Sequence, residues 1–220
     1  MAPREVGDAT VRWVKPARQE RSRDTHDRIV DAAERLLARG RSWTDLTIAE
    51  LVKEAGTSVG AFYNRFRDKD ALLHVLQLEL YREGEATAVS AQAFATSLDV
   101  PLETLVRAFV ALAVSAYREQ YGLRRALALQ MASEPTLRER AVELSRMTCE
   151  GLTDALAVRL PGRDRGSLRT IVDVSHRMLY GVLDQNLMFS DAPTSLALAD
   201  ATLVDELTIA VLAYLERRLG

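Results

Sequence analysis

The residues with most to offer chemically lie in one stretch, Thr47 to Phe66, which reads TIAELVKEAGTSVGAFYNRF. Thr47 with Glu50 three positions on forms a capping box, in which hydroxyl and carboxylate each take a backbone N–H at the start of a helix. Gly56 stands where a tight turn needs a positive φ, and Ser58 is placed to cap a second short helix. Phe62 and Phe66 are four apart, so they share one side of that helix and have the bulk to anchor it. Val59, Gly60, Tyr63 and Asn64 fall on the other side, where small and hydrogen-bonding groups would meet an outside surface. This is the layout of a helix-turn-helix whose second helix enters a DNA major groove. Gly60 permits close approach and Tyr63 brings a hydroxyl to phosphate reach. Arg65, Arg67 and Lys69 follow at once, with Lys69 at the N-terminus of the next helix, where backbone N–H groups favour an anion.

Little else in the chain is suited to catalysis. The three histidines, His26, His74 and His176, fall on three different predicted helices, and Cys149 is the single cysteine. No HExxH, CxxC, P-loop or GxSxG pattern can be written, so no catalytic residue, metal site or cofactor is expected, and the chain is not expected to be an enzyme. His26-Asp27 has the form of a metal-binding pair but lacks further His and Asp ligands, so a solvated first turn is expected there. Cys149 sits among apolar residues on a long helix, the setting of a buried, inert thiol.

These residues need a scaffold, and from Asp24 onward the pattern is helical. Ile29, Ala33, Leu36 and Leu37 recur at helical spacing and Gly40 stops the run. Asp68 caps a fourth, long helix running towards Phe94. Five more are predicted: Leu102 to Gln120, Gly122 to Ala132, Pro135 to Leu160, Leu168 to Phe189 and Leu196 to Leu219. No run alternates with period two, so the fold class is all-α. Among 220 residues, 48% hydrophobic and 27% charged side chains exclude wholesale disorder. The net charge is −2, yet nine basic residues face five acidic ones between Arg12 and Arg41. That local excess is a weak pointer to a polyanion partner, and on charge alone a solvated helix face laced with ion pairs is the favoured reading. The first 23 residues, with Pro3 and Pro16 and no apolar period, read as a mobile basic arm. They hold no apolar core for a signal peptide, and Phe109 to Tyr117 is far too short for a membrane span, so a soluble cytoplasmic protein without membrane contact is expected.

Residues Thr25 to Leu76 resemble the N-terminal DNA-binding domain of the TetR family of transcriptional regulators. The family's signature runs Gly, Val, Ser, a variable residue, Gly, Thr, an apolar residue, Tyr, two residues and Phe, with a Lys opening the fourth helix. Here it reads Gly56, Thr57, Ser58, Val59, Gly60, Ala61, Phe62, Tyr63, Asn64, Arg65, Phe66, then Lys69 and Asp70-Ala71-Leu72-Leu73. The resemblance implies that Val59, Gly60 and Tyr63 face base edges and adjacent sugar-phosphate. It implies that Thr47, Thr57, Ser58, Asn64, Arg65 and Lys69 hold phosphates, with Arg18, Arg21 and Arg23 of the arm reaching the backbone or a minor groove. Three residues depart from the pattern. Val52 replaces a usual Ala and would widen the helix crossing. Val59 can touch a thymine methyl but not hydrogen-bond a base. Ala61 replaces a Thr of the recognition surface and removes a possible phosphate contact.

The resemblance further implies a domain order: arm 1–23, helix-turn-helix domain 24–75, and a ligand-binding and dimerisation domain 76–220 entered through the long helix. One recognition helix gives too few base contacts, so a homodimer on a near-palindromic operator is expected. Its interface is expected on the last two helices, through Leu168, Ile171, Ser175, Met178, Gly181, Val182 and Phe189 on one and Leu203, Leu207, Ala210, Val211 and Tyr214 on the other. A small-molecule effector, mostly apolar with one polar handle, is expected between the long fourth helix and the helices beginning near Leu102, Gly122, Pro135 and Leu168. The candidate lining is Phe109, Tyr117, Arg118, Met131, Met147, Cys149, His176 and Tyr180, and the reading is a repressor released by that effector. The alternative is a helical ligand-binding or interaction protein with no DNA role, which Val59 and Ala61 keep open.

Overall fold

The structure is a computed structural model that describes residues 20–95, 100–189 and 198–220, with side chains described from residue 24 to 86 and again from residue 100. Most of the expected arm, residues 1–19, lies outside the described residues. Among those described there are nine helices and no sheet: α1 (Glu20–Ala38), α2 (Ile48–Glu54), α3 (Val59–Tyr63), α4 (Lys69–Ala95), α5 (Leu102–Glu119), α6 (Tyr121–Met131), α7 (Pro135–Arg159), α8 (Arg165–Phe189) and α9 (Asp200–Leu219).

The ends of the first four helices are written in local chemistry. Gly40, at φ 82°, closes α1: its N–H donates to the Leu37 carbonyl at 2.9 Å and that of Arg41 to Leu36 at 3.1 Å. Gly56, at φ 60°, repeats this after α2, with bonds from Gly56 to Lys53 and from Thr57 to Val52. Both are Schellman motifs, which require a left-handed residue that glycine adopts without cost to a Cβ. The capping box at Thr47 is complete, and the Ala61 N–H donates to Ser58 Oγ and the Ala71 N–H to Asp68 Oδ1. One boundary differs from expectation. α1 begins at Glu20 rather than Asp24, in keeping with the high helix propensity of Glu20 and Arg21.

The chain packs as two units. The first takes residues up to 82 together with 120–138. Its core is one cluster, joining Ile29, Ala33 and Leu37 of α1, Trp43 and Leu46, Leu51 and Val52 of α2, Phe62 and Phe66, Leu72 and Leu76 of α4, and Leu123 and Leu127 of α6. Val52 is absorbed there at 6% exposure. α6, which the sequence assigned to the second domain, packs against α1. Its backbone comes so near that a Cβ on Gly122 would lie 2.1 Å from the Leu37 carbonyl oxygen. Buried Gln77 then ties α4 to the start of α7, its Nε2 donating to the Leu137 carbonyl at 2.7 Å. An apolar stripe such as Leu123, Ala126 and Leu127 says that a helix is buried, not against which neighbour.

The second unit takes residues 83–119 and 139–220, in which α5, α8 and α9 pack on one another. Its buried side chains fall into two groups, one around Val110, Val114, Leu183 and Leu207, the other around Ile171, Val211 and Leu215. No helix among the described residues is long and apolar enough to cross a membrane.

Candidate nucleic-acid interface and apolar cavity

The helix-turn-helix presents the surface that the spacing foretold. Phe62 and Phe66 are fully buried, their ring centroids 5.4 Å apart, and His26 stacks on Phe66 at 5.2 Å. His26 is therefore core, at 8% exposure, and not part of a solvated turn. On the opposite side Val59 and Tyr63 are 46% and 50% exposed. Thr47, Ser58, Gly60 and Asn64 are exposed beside them, and Thr57 and Ala61 are half-buried. Only Ser58 Oγ, at 3.9 Å, comes near the space a Cβ on Gly60 would fill, so close approach from outside is open. Tyr63 meets Phe62 edge-on, which braces its ring against the core. The surface thus offers methyl groups, hydroxyls and one amide, suited to the floor and walls of a groove.

The cations behave differently from expectation. Arg65 is 5% exposed, and burial pulls its guanidinium pKa down. It follows Phe62 by three positions and so shares the anchoring side, a signal the basic run Arg65-Phe66-Arg67 obscured. Lys69 is also turned inward: its Nζ donates to the carbonyls of Trp43 at 2.6 Å, Leu46 at 2.8 Å and Thr44 at 3.3 Å. Neither residue lies on the exposed face where phosphate contacts were expected. Among the described residues, several cations of α1 and its surroundings are paired as well. Arg35 and Arg39 both reach Glu54, Arg41 reaches Glu50, and Arg67 reaches Asp68. Arg28, which sequence reasoning passed over, donates to the Gly56 carbonyl at 3.3 Å and braces the turn from α1. The Thr47 N–H and hydroxyl, with Arg41 beside them, hold the Glu50 carboxyl below its ordinary range.

The second unit holds a cavity of about 410 Å³. Its walls come from Leu102, Val106, Phe109 and Leu112 of α5, Leu152, Leu156 and Arg159 of α7, Val172, Ser175, His176 and Leu179 of α8, and Val211 and Leu215 of α9. Among the described residues no side chain of α6, nor of α4 up to residue 86, lines it, contrary to the expected placement; the rest of α4's side chains lie outside the described residues. Among the described lining residues, only Arg159, Ser175 and His176 interrupt the apolar wall. The Ser175 hydroxyl donates to the Ile171 carbonyl at 2.9 Å, and Arg159 donates to that of Val100. Burial pushes the His176 imidazole below its ordinary pKa, against the smaller opposing pull of Asp173.

Of the eight expected lining residues, Phe109 and His176 lie on the wall. The Tyr180 ring packs at a tilt against His176, with centroids 4.3 Å apart, and Tyr117 packs at a steeper tilt on Tyr180, its hydroxyl donating to Asp184 at 2.8 Å. Arg118 is ion-paired with Asp200 at the surface. Cys149 is buried away from the cavity, its thiol pushed up to about 11 by burial. Met147 is exposed, and Met131 packs on the first unit's core. Arg159 was missed, although Leu152, Leu156 and Arg159 stand at i, i+4 and i+7 on one face.

The expected interface stripes divide in the same way. Leu168, Ile171, Leu203, Leu207 and Val211 are buried within the unit itself, and Tyr214 packs against its second cluster. Ser175 is half-buried on the cavity wall, and Ala210 is exposed on α9. Met178 is half-buried, while Gly181, Val182 and Phe189 stay exposed on α8. Ile209 of α9, not foreseen, is 60% exposed.

The family model for bacterial regulatory proteins of the tetR family matches residues 29–76, and that for the tetracyclin repressor-like C-terminal domain matches residues 101–215. No curated protein matches the chain. Among solved structures, a TetR-family transcriptional regulator from Mesorhizobium loti superposes with a TM-score of 0.72 at 18% identity, covering 90% of this chain and 98% of its own. One from Streptomyces coelicolor gives 0.65 at 16% identity, over 89% and 82% of the two chains. A transcriptional regulator from Cytophaga hutchinsonii gives 0.63 at 13%, over 87% and 96%. At such identities the likeness is one of fold, and it covers 87–90% of the chain. With family models matched to both its N-terminal and its C-terminal part, the chain belongs to the TetR family and is a DNA-binding transcriptional regulator.

Proposed function

We propose that this regulator is a homodimeric repressor, released from a near-palindromic operator by a small, mostly apolar molecule bound in the second unit's cavity. The observation that carries this reading is the cavity itself. It has the volume of an ordinary small-molecule site, a nearly continuous apolar wall, and a few polar groups to orient a guest. His176 supplies an imidazole whose burial favours the neutral form, suited to an uncharged hydrogen-bonding group. The contact between protomers is assigned to the stripe α8 leaves uncovered, Met178, Gly181, Val182 and Phe189, with Ile209 of α9. α4 and α7 each continue from one unit into the other, and they are the elements through which an occupied cavity would bias the recognition helices.

The test is a gel shift on the DNA upstream of the protein's own gene, with and without a panel of apolar compounds. The expected result is a retarded complex that such a compound dissolves, the same compound raising the melting temperature. Sedimentation at micromolar concentration should give a dimer. Release by a small, highly charged metabolite, with no response to any apolar one, would overturn the effector assignment.

A further inference from the structure

We infer that Lys69 is a clasp that orients the recognition helix from behind, a positioning residue and not a phosphate contact. The observation is topological. Lys69 is the first residue of α4, directly after the helix-turn-helix, and its three carbonyl partners belong to Trp43, Thr44 and Leu46, directly before it. One side chain therefore joins the two ends of the segment that carries α2, the turn and α3.

The chemistry is complete within the unit. An ammonium has three N–H donors and no acceptor, and three main-chain carbonyls receive them. Those carbonyls precede the first turn of α2, so no helical ladder takes them. The Trp43 ring adds a face to the cation, with Nζ 5.3 Å from its centroid, and Trp43 itself is wedged in the core at 3% exposure. Phe62 anchors α3, Phe66 anchors the turn after it, and the capping box holds the start of α2. The clasp supplies the remaining restraint, fixing where the segment begins relative to where it ends.

An ammonium that converges on three oxygens is not replaced by a guanidinium, whose donors lie in a plane. A phosphate contact, in contrast, is served by arginine at least as well as by lysine. This difference supplies the experiment. Lys69→Arg and Lys69→Met are made in a Trp13→Phe background, so that Trp43 is the remaining tryptophan, and compared on a duplex selected from a random-sequence library by the unaltered protein.

Both variants are expected to bind about tenfold more weakly, as when the competent orientation falls to about a tenth of the population. Their dependence of log affinity on log salt should match the parent, and Trp43 emission should change in both. If Lys69 instead neutralises a phosphate, Lys69→Arg binds like the parent, and Lys69→Met lowers the salt slope by about 0.9 with Trp43 emission unchanged. Parent-like affinity in Lys69→Arg, or unchanged Trp43 emission in either variant, overturns the clasp. Should Lys69→Met fail to fold, Lys69→Arg decides alone. Should the unaltered protein select no duplex, the regulator reading fails, and Trp43 emission still decides whether Lys69 holds the segment.

Discussion

In the first unit the buried side chains of α1 through α4 close with α6 into one cluster, whereas in the second they divide around a cavity of about 410 Å³. Both regions are built from helices, and they differ in what their interiors leave undone. The first unit presents Val59 and Tyr63 on a helix only five residues long, and such a helix holds its place through packing, caps and bracing from behind. A void there would blur the geometry of recognition. The second unit withholds apolar contacts that a guest can complete, at the cost of the dispersion energy those walls forgo. A contiguous core and a vacancy are thus properties of different parts of one chain.

The largest expected effect comes from breaking the filled region where its backbones meet. Gly122→Ala places a Cβ 2.1 Å from the Leu37 carbonyl oxygen, and neither main-chain segment can swing aside as a side chain could. The expected loss is about 3 kcal/mol, seen as a fall of several degrees in a circular dichroism melt. Gly84→Ala is the matched control, since nothing lies within 4 Å of its Cβ position in α4. It should be neutral or gain about 0.5–1 kcal/mol from reduced chain entropy. Equal melting temperatures for the two variants would show that α6 does not abut α1 as described.

A sharper version of the comparison uses one substitution in both units. Ala33 is fully buried in α1, and Ala155, on the cavity wall, is 3% exposed, so burial alone ranks them together. Ala33→Leu has nowhere to put its methylenes and should lose about 2 kcal/mol. Ala155→Leu extends into empty space and should gain up to about 1 kcal/mol while abolishing any ligand-induced rise in melting temperature. Chemical denaturation of both variants, with and without an active compound, measures all four quantities. Equal destabilisation would mean that the second unit is as filled as the first.

What the sequence made legible follows the same divide. Thr47, Ser58 and Asp68 were readable as caps because each acts on a backbone N–H three residues away, a relation a linear string displays. Phe62 and Phe66 were readable as anchors for the same reason. Arg65 was open to reading at i+3 from Phe62, but its place in a basic run suggested a surface role. Lys69 was beyond reach, because its partners lie 23 to 26 positions earlier and are main-chain atoms that carry no side-chain signature. The cavity is harder still. Its described wall draws on four helices between Leu102 and Leu215, and an apolar residue at helical spacing looks alike whether it meets a neighbour or a void. Phe109 and His176 emerged because they are large or polar on such a face, while Met131 and Met147 met the same criterion and lie elsewhere.

The smallest effect expected is a difference in acid sensitivity. In the first unit Glu50 and Glu54 are held below their ordinary range, Glu50 chiefly by bonds from Thr47 and Glu54 chiefly by that from Arg35. A depressed carboxyl contributes stability that is present above its unfolded value of 4.5 and is lost as pH falls through the folded one. His176 in the second unit is also depressed, by burial, but from 6.5. Below that value the unfolded chain takes the proton before the folded one does, so stability declines as pH falls from 6.5, well before the carboxyls respond. The urea midpoint should therefore drop between pH 7 and 5.5, and His176→Gln should flatten part of that drop. His26 and His74 remain in both proteins, so the difference between the two profiles isolates His176. Parallel profiles would mean that the imidazole is hydrated in the folded state, and that the wall beside Leu179 and Phe109 is wetter than its side chains imply.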